Sequence, residues 1–203
     1  LCIASSNWYS LGKFNSKIRE MKNGMENSLL RSSLVTAVAL AFAMMAVAAE
    51  VTVIDGQTWC YVLRNGTASI GARSENKLAV PQKSKGRLVI PSCLGGRPVT
   101  QISTWAFYGC SNITEITIPK SVTDIDRTAF LYCGGLRAIR VDPENAKYAA
   151  CDGLLLDKTR KNLIFCPSAV KRVEIPDGVT AIEDSAFESC QLAELSIPDS
   201  VET

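Results

Sequence analysis

The chain contains no histidine. That absence removes the commonest general base and the commonest zinc ligand, and with them histidine-dependent triads and HExxH metallopeptidases. An excess of charge of either sign is also missing. Lys and Arg number 22 against 20 Asp and Glu, a net charge of +2, so no electrostatic footprint points to nucleic acid or an anionic membrane as a partner. None of the 8 cysteines stands in the CxxC spacing that a zinc site would use. The mainly apolar stretch from Leu34 to Ala49 is about 16 residues long, short of the roughly 20 that a bilayer core asks for. What is present is 47% hydrophobic and 21% charged residues, enough apolar material for the core of one globular domain. An enzyme built from this chain would have to work with carboxylates, lysine or cysteine.

The N-terminal region has its own character. Arg31, the apolar stretch and the small residues Ala46, Ala48 and Ala49 follow the three-part layout of a secretory signal peptide, with the cut after Ala-Val-Ala at 46–48 or Val-Ala-Ala at 47–49. Residues 25–49 are therefore expected to be a signal peptide, and 1–24, which precede or contain Met21, a leader or non-native extension. The mature chain would begin at Ala49 or Glu50, carry no membrane span, and be secreted or held at the cell surface.

Beyond that point the sequence repeats. Val99, Ile102, Ala106, Phe107, Cys110 and Ile118 recur as Val122, Ile125, Ala129, Phe130, Cys133 and Val141, each about 23 residues on. Val179, Ile182, Ala186, Phe187 and Cys190 follow after one enlarged step. A step of this size falls among leucine-rich repeats. In "ITEITIP", Ile116 and Ile118 alternate with Glu115 and Thr117, the period-2 pattern of a strand with one buried face. Leu88 with Ile90, Ile139 with Val141, Val173 with Ile175, and Leu195 with Ile197 repeat it, and prolines at 91, 119, 176 and 198 end the strands. Ala129, Phe130 and Cys133, at i, i+1 and i+4, have the spacing of a short helical turn. One such coil cannot bury both its faces, so the predicted architecture is an α/β solenoid: stacked coils, a parallel sheet along one side, short helical turns along the other. The enlarged step from Val141 to Pro176 contains a predicted hairpin insert over about 145–172, with apolar runs Leu154 to Leu156 and Leu163 to Phe165 around "DKTRKN". Asn65-Gly66 predicts a second hairpin between Tyr61–Leu63 and Ala68–Ile70, placing an N-terminal β cap over 50–87 and the repeats over 88–203. The sequence stops at "IPDSVET" as another coil should begin, which reads as a truncated solenoid whose last strand lacks a cover.

The pattern I..TAF..C..L..I.IP.SVT.I resembles the BspA-like class of bacterial leucine-rich repeat proteins over roughly Leu88 to the C-terminus. The resemblance implies a secreted or surface-displayed, non-catalytic protein that works by adhesion or protein–protein contact. Its partner would be a protein ligand, such as host matrix or a neighbouring cell surface, bound by a monomeric module with no cofactor and no metal. Two other readings stand beside it: a spacer or accessory repeat module of a larger secreted enzyme encoded downstream, and a polysaccharide-binding module using Trp59, Trp105 and Tyr108.

The candidate residues sort by this frame. The repeat core comprises Ile102, Phe107, Cys110, Ile116, Ile118, Ile125, Phe130, Cys133, Ile139, Val141, Val173, Ile175, Ile182, Phe187, Cys190, Leu195 and Ile197, with the phenylalanines at 107, 130 and 187 expected in one interior row. The outward residues of the strands form the candidate binding face: Arg87 and Val89, Glu115 and Thr117, Ala138 and Arg140, Arg172 and Glu174, Glu194 and Ser196. Strands stacked in order would set Arg87 beside Glu115, Arg140 beside Glu174 and Arg172 beside Glu194, pairs worth about 0.2–1 kcal/mol each. Cys110, Cys133 and Cys190 share one repeat position, where a small buried thiol fits; Cys151 with Cys166 is the better disulfide pair. "SENK" at 74–77 matches SxxK without its partner motifs, and Asp124, Asp126, Asp142 and Glu144 lack EF-hand spacing.

Overall fold

The structure, a computed structural model, describes residues 49–71 and 77–202, and these lie within one compact unit that begins at Ala49. The expected leader and signal peptide at 1–49, Ala49 apart, lie outside the described residues. In chain order the strands are β1 Glu50–Ile54, β2 Gln57–Arg64, β3 Thr67–Ile70, β4 Gly86–Val89, β5 Cys93–Leu94, β6 Arg97–Ile102, β7 Ile113–Ile118, β8 Asp124–Ile125, β9 Ala138–Val141, β10 Tyr148–Cys151, β11 Leu154–Asp157, β12 Asn162–Phe165, β13 Arg172–Glu174, β14 Ala181–Ile182 and β15 Glu194–Ser196.

Two antiparallel hairpins open the fold. β1 and β2 turn at Asp55-Gly56, and β2 and β3 at Asn65-Gly66; all four residues have positive φ, 50° and 75°, then 48° and 80°. That is the turn whose twist matches a right-handed strand pair, and Asp-Gly and Asn-Gly are the dipeptides that reach it at least cost. β3 then pairs in parallel with β6, and β6 with β8, so the hairpins hand over directly to the repeats.

Each coil contributes two strands, and the coils stack in register. On one side Leu88, Ile116 and Ile139 are Cα partners across β4, β7 and β9; on the other, Ile70, Ile102 and Ile125 are partners across β3, β6 and β8. The inward residues of both ladders meet between them. Phe107 stacks on Phe130 with ring centroids 5.6 Å apart and planes 15° from parallel, and Phe130 meets Phe165 at 5.2 Å. Such ring pairs contribute about 0.5–1.5 kcal/mol beyond the area they bury.

The segments expected to be helical turns are not helical. Residues 104–109, 127–132 and 184–189 are hydrogen-bonded turns, and no helix is present among the described residues. The amide bonding explains this. Ala106, Tyr108 and Cys110 donate to carbonyls three residues back, while the intervening Phe107 and Gly109 donate across to Ala129 and Leu131 of the next coil. In the other two segments Ala129, Leu131 and Cys133, and Ala186, Glu188 and Cys190, likewise donate three residues back, so none of the three holds a run of i→i−4 bonds for an α-helix to propagate.

The sheet of long strands is also not continuous. β4, β7 and β9 form one parallel sheet and β13 with β15 another, because the enlarged coil intervenes. Its predicted hairpin is present as β11 and β12, with β10 added in front and β14 paired behind. The insert lies against β9: the Ile139 amide donates to Gly153 O at 2.8 Å, and a Cβ on Gly153 would stand 3.1 Å from that of Ala138. The core follows the break. One cluster runs from Trp59 to Phe165, and a second joins Leu154, Leu156, Leu163, Val173 and Ile175 to Val179 and Ala186. Phe165 of the insert, rather than Phe187, therefore continues the row of rings; Phe187, Ile182 and Cys190 are half-buried against the second cluster. Leu195 and Ile197, expected in the core, are 39% and 54% exposed, since β15 has β13 on one side and no strand on the other among the described residues.

Candidate functional site

The outward residues of the long strands sit where alternation puts them, and two of the three expected ion pairs form. Arg87 Nε lies 3.9 Å from Glu115 Oε1, and Arg172 Nε 3.3 Å from Glu194 Oε2. The third does not: β9 and β13 are not neighbours, so Arg140 cannot reach Glu174 and instead sets its Nε 3.0 Å from Glu115 Oε2. Glu115 thus gathers two guanidiniums, one from each flanking strand, into an Arg–Glu–Arg triplet. Thr117 and Ala138 are half-buried beside it, Val89 is 68% exposed, and Arg172, Glu174, Glu194 and Ser196 are exposed on the separate two-stranded sheet. The expected ten-residue stripe is divided into two patches.

The aromatic candidates separate. Trp59 is 2% exposed, because β2 lies between β1 and β3 and Trp59 and Tyr61 turn together into the first core cluster; it is not a contact residue. Trp105 and Tyr108 are each 41% exposed, and Tyr132, which the repeat pattern did not single out, is 55% exposed. The three rings adjoin. Trp105 and Tyr108 have centroids 6.0 Å apart, tilted by 59°, and Tyr108 meets Tyr132 edge-on at 5.1 Å.

The backbone beneath them is unusual. Tyr132 has φ 58°, and the residues at the same place in the neighbouring repeats, Gly109 and Ser189, have φ 68° and 70°. The repeat itself requires this left-handed turn, and at Tyr132 a bulky residue adopts it at a cost of about 1–2 kcal/mol. Trp105 also has a positive φ, 57°, whereas its counterparts Thr128 and Ser185 do not. A cavity of about 430 Å³ adjoins the rings, lined among the described residues by Leu78, Gln82, Trp105 and Tyr108. Gly109 makes room for the Gln82 side chain: a Cβ there would lie 2.5 Å from Gln82 Nε2.

The groups that might have carried other chemistry are engaged in holding the coils. Asp124 accepts from Gln101 Nε2 at 2.7 Å; Asp126 accepts from the Thr128 amide at 2.9 Å and the Thr104 hydroxyl at 2.6 Å; Asp142 caps the Glu144 amide at 2.9 Å; and Glu144 binds Lys120 at 2.6 Å. Among the described residues no three His, Cys, Asp or Glu side chains form a group that could hold a metal. Ser74 of the SxxK match lies outside the described residues. Cys151 and Cys166, the expected disulfide pair, are both free thiols: Cys151 faces Leu154 across the hairpin, while Cys166 donates its amide to Ala186 O of the next coil. Burial pushes the Cys110 thiol up to about 11. Burial, with Cys110 adding to it, pushes Cys133 up to about 12, and its Sγ donates to Phe107 O at 3.0 Å. A hydrogen bond with Cys190, together with burial, raises Cys166 as well. Cys110, Cys133 and Cys166 are thus buried thiols held in the protonated form, as suits packing residues.

One polar residue that the sequence reading missed is structurally central. Asn145 is fully buried. Its Nδ2 donates to Pro119 O and Val122 O at 3.0 and 2.9 Å, and its Oδ1 accepts from the Lys147 and Tyr148 amides, both at 2.8 Å. It fastens the start of the insert to the preceding coil.

Comparison with known proteins places this arrangement. A leucine-rich repeat protein of Eubacterium ventriosum is 28% identical, with a TM-score of 0.49 over 57% of this chain and 30% of its own. A leucine-rich cell surface protein of Faecalibacterium prausnitzii is 19% identical, with a TM-score of 0.42 over 76% of this chain and 44% of its own. A leucine-rich repeat protein of Bacteroides ovatus is 26% identical, with a TM-score of 0.39 over 74% and 42%. The chain therefore spans less than half the length of each of these. No curated protein matches. The profile of the BspA-type leucine-rich repeat region matches residues 91–150 and 158–203 in six copies, just over half of the chain, and interrupts itself near the hairpin insert. With six matched copies, in-register strand ladders and stacked phenylalanines, the chain belongs to the BspA-type leucine-rich repeat family.

Proposed function

We infer that this chain is an exported bacterial repeat module that makes a non-catalytic, adhesive contact with another protein at the cell surface. The observation that carries this reading is the Arg87–Glu115–Arg140 triplet on three parallel strands, with Val89 and Thr117 beside it. Rigid strands present charged and apolar groups at fixed spacing, and arginine is enriched among residues that anchor protein interfaces. Membership of the repeat family supports the same conclusion, as do the thiols and carboxylates that are committed to holding coils together. The remaining assignments belong to this proposal: a signal peptide over 25–49, a β cap over 50–87, and delivery to the cell exterior.

The test is binding of the purified chain to immobilised collagen, laminin and fibronectin, read by biolayer interferometry. Binding to at least one is expected, with Arg87→Ala and Arg140→Ala together weakening it tenfold or more. Absence of binding by a folded chain, or binding that is indifferent to the double variant, would count against the reading.

A further inference from the structure

We propose that the exposed cluster Trp105, Tyr108 and Tyr132, with Gln82 beside it, is a binding site for a neutral oligosaccharide. It goes beyond the protein contact inferred above and uses a different segment of the coil, the turns rather than the long strands.

The first observation is that these rings are displayed at the expense of the backbone. Trp105 and Tyr132 sit at φ 57° and 58°, and yet remain 41% and 55% exposed. At the Tyr132 position the repeat elsewhere uses Gly109 and Ser189, so the fold does not need an aromatic there. Backbone strain at aromatic residues that stay partly exposed is characteristic of ligand sites. The second observation is the adjoining cavity of about 430 Å³, which falls in the size range of small-ligand sites.

The chemistry of the cluster selects the ligand. Among the described residues the cavity is lined by Leu78, Gln82, Trp105 and Tyr108, with Tyr132 packed edge-on against Tyr108; none of the five carries a charge, which suits a neutral molecule. Indole and phenol rings offer flat apolar faces with polar tips, and the Gln82 amide offers both a donor and an acceptor. A pyranose is the complement of that set: one face of C–H groups to lie on a ring, and a rim of hydroxyls to meet the phenols and the amide. The rings are tilted by 59° and 69° rather than coplanar, so they would cradle a curved, soluble chain rather than a flat crystalline surface. A peptide is a poorer fit. The turn amides of Tyr108, Gly109, Tyr132 and Gly134 already donate within the protein, which leaves little main chain for a peptide backbone to pair with.

The experiment is saturation-transfer difference NMR, followed by calorimetric titration, of the full chain against neutral hexasaccharides: α-1,4-glucan, β-1,4-glucan, β-1,4-xylan and β-1,4-linked N-acetylglucosamine. At least one is expected to receive saturation, strongest at its C–H face. Tyr132→Gly and Trp105→Gly are the informative variants, because glycine suits a positive φ and leaves the turn intact. Each is expected to weaken binding at least tenfold with no fall in the thermal midpoint. No transfer to any of the four sugars from the folded chain, or variants that bind as the parent does, would overturn the proposal. So would Tyr132-dependent binding to a synthetic peptide array without sugar binding, which would assign the cluster to a protein partner. Arg87→Ala with Arg140→Ala should leave sugar binding unchanged, so failure of the protein-contact reading is read separately.

Discussion

Asn145 concentrates more hydrogen bonding than any other buried side chain described above. Truncation to alanine would remove the side-chain partner of the Val122 carbonyl and of the Lys147 and Tyr148 amides, Pro119 O keeping the Val122 amide, and a group left unpaired away from water costs about 1–3 kcal/mol. Asn145→Ala is therefore expected to lower stability by about 3–5 kcal/mol in urea unfolding. Gly135 is constrained differently. A Cβ there would lie 2.1 Å from Ser111 O of the preceding coil, a backbone atom that cannot swing aside. Gly135→Ala should destabilise by about 1–3 kcal/mol, the usual penalty of overpacking, measured in the same way. Neither residue stood out in the sequence. Asn145 lies among ordinary turn-formers in "DPENAK", and its role arises only because the insert folds back over Pro119 and Val122. Tyr132 was legible only in part: its alignment with Gly109 could be counted, but the turn's positive φ could not.

At the scale of elements, the hairpin insert is held by Asp157. Burial alone would raise its carboxyl, but hydrogen bonds from the Asn162 and Lys161 amides and the Thr159 hydroxyl outweigh it and hold the group below the usual carboxylate range. A depressed folded-state pKa stabilises fully above the unfolded value, and the contribution is lost as pH falls through the folded one. The stability gap between the parent and Asp157→Asn should accordingly be constant near neutrality and close below about pH 4, as read from thermal midpoints against pH. The Arg–Glu–Arg triplet across β4, β7 and β9 should behave otherwise. Both arginines are largely exposed, and exposed pairs contribute at most about 1 kcal/mol. Glu115→Gln is expected to shift stability by less than about 1 kcal/mol in chemical denaturation, which leaves the triplet available for a partner.

For the molecule as a whole, the two core clusters meet near Phe165. Its ring packs on Phe130 in the first, while its neighbours Leu163 and Cys166 belong to the second. Coils that touch only their neighbours share stability through such contacts. Phe165→Ala should cost about 3–5 kcal/mol and lower the urea m-value as the second cluster begins to unfold ahead of the first, visible as non-coincident fluorescence and circular dichroism transitions.

By itself the sequence determined the repeat, its step, the strands β4, β7, β9, β13 and β15, both predicted hairpins and the interior place of Phe107 and Phe130. These follow from local rules: alternation along a strand, proline at its end, Asn-Gly at a turn. Tertiary structure alone decided the rest. Amides that bond three residues back, and in the first segment also to the next coil, made turns of the expected helical segments. The insert broke the long sheet, redirected Arg140 from Glu174 to Glu115, and put Phe165 where Phe187 was expected. Trp59 was buried by β-strands on either side, and Trp105, Tyr108 and Tyr132 were brought together from successive coils. The physical reason is the same in each case: these outcomes depend on which backbone lies next to which, and a stacked architecture sets that through contacts between coils rather than through any one stretch of chain.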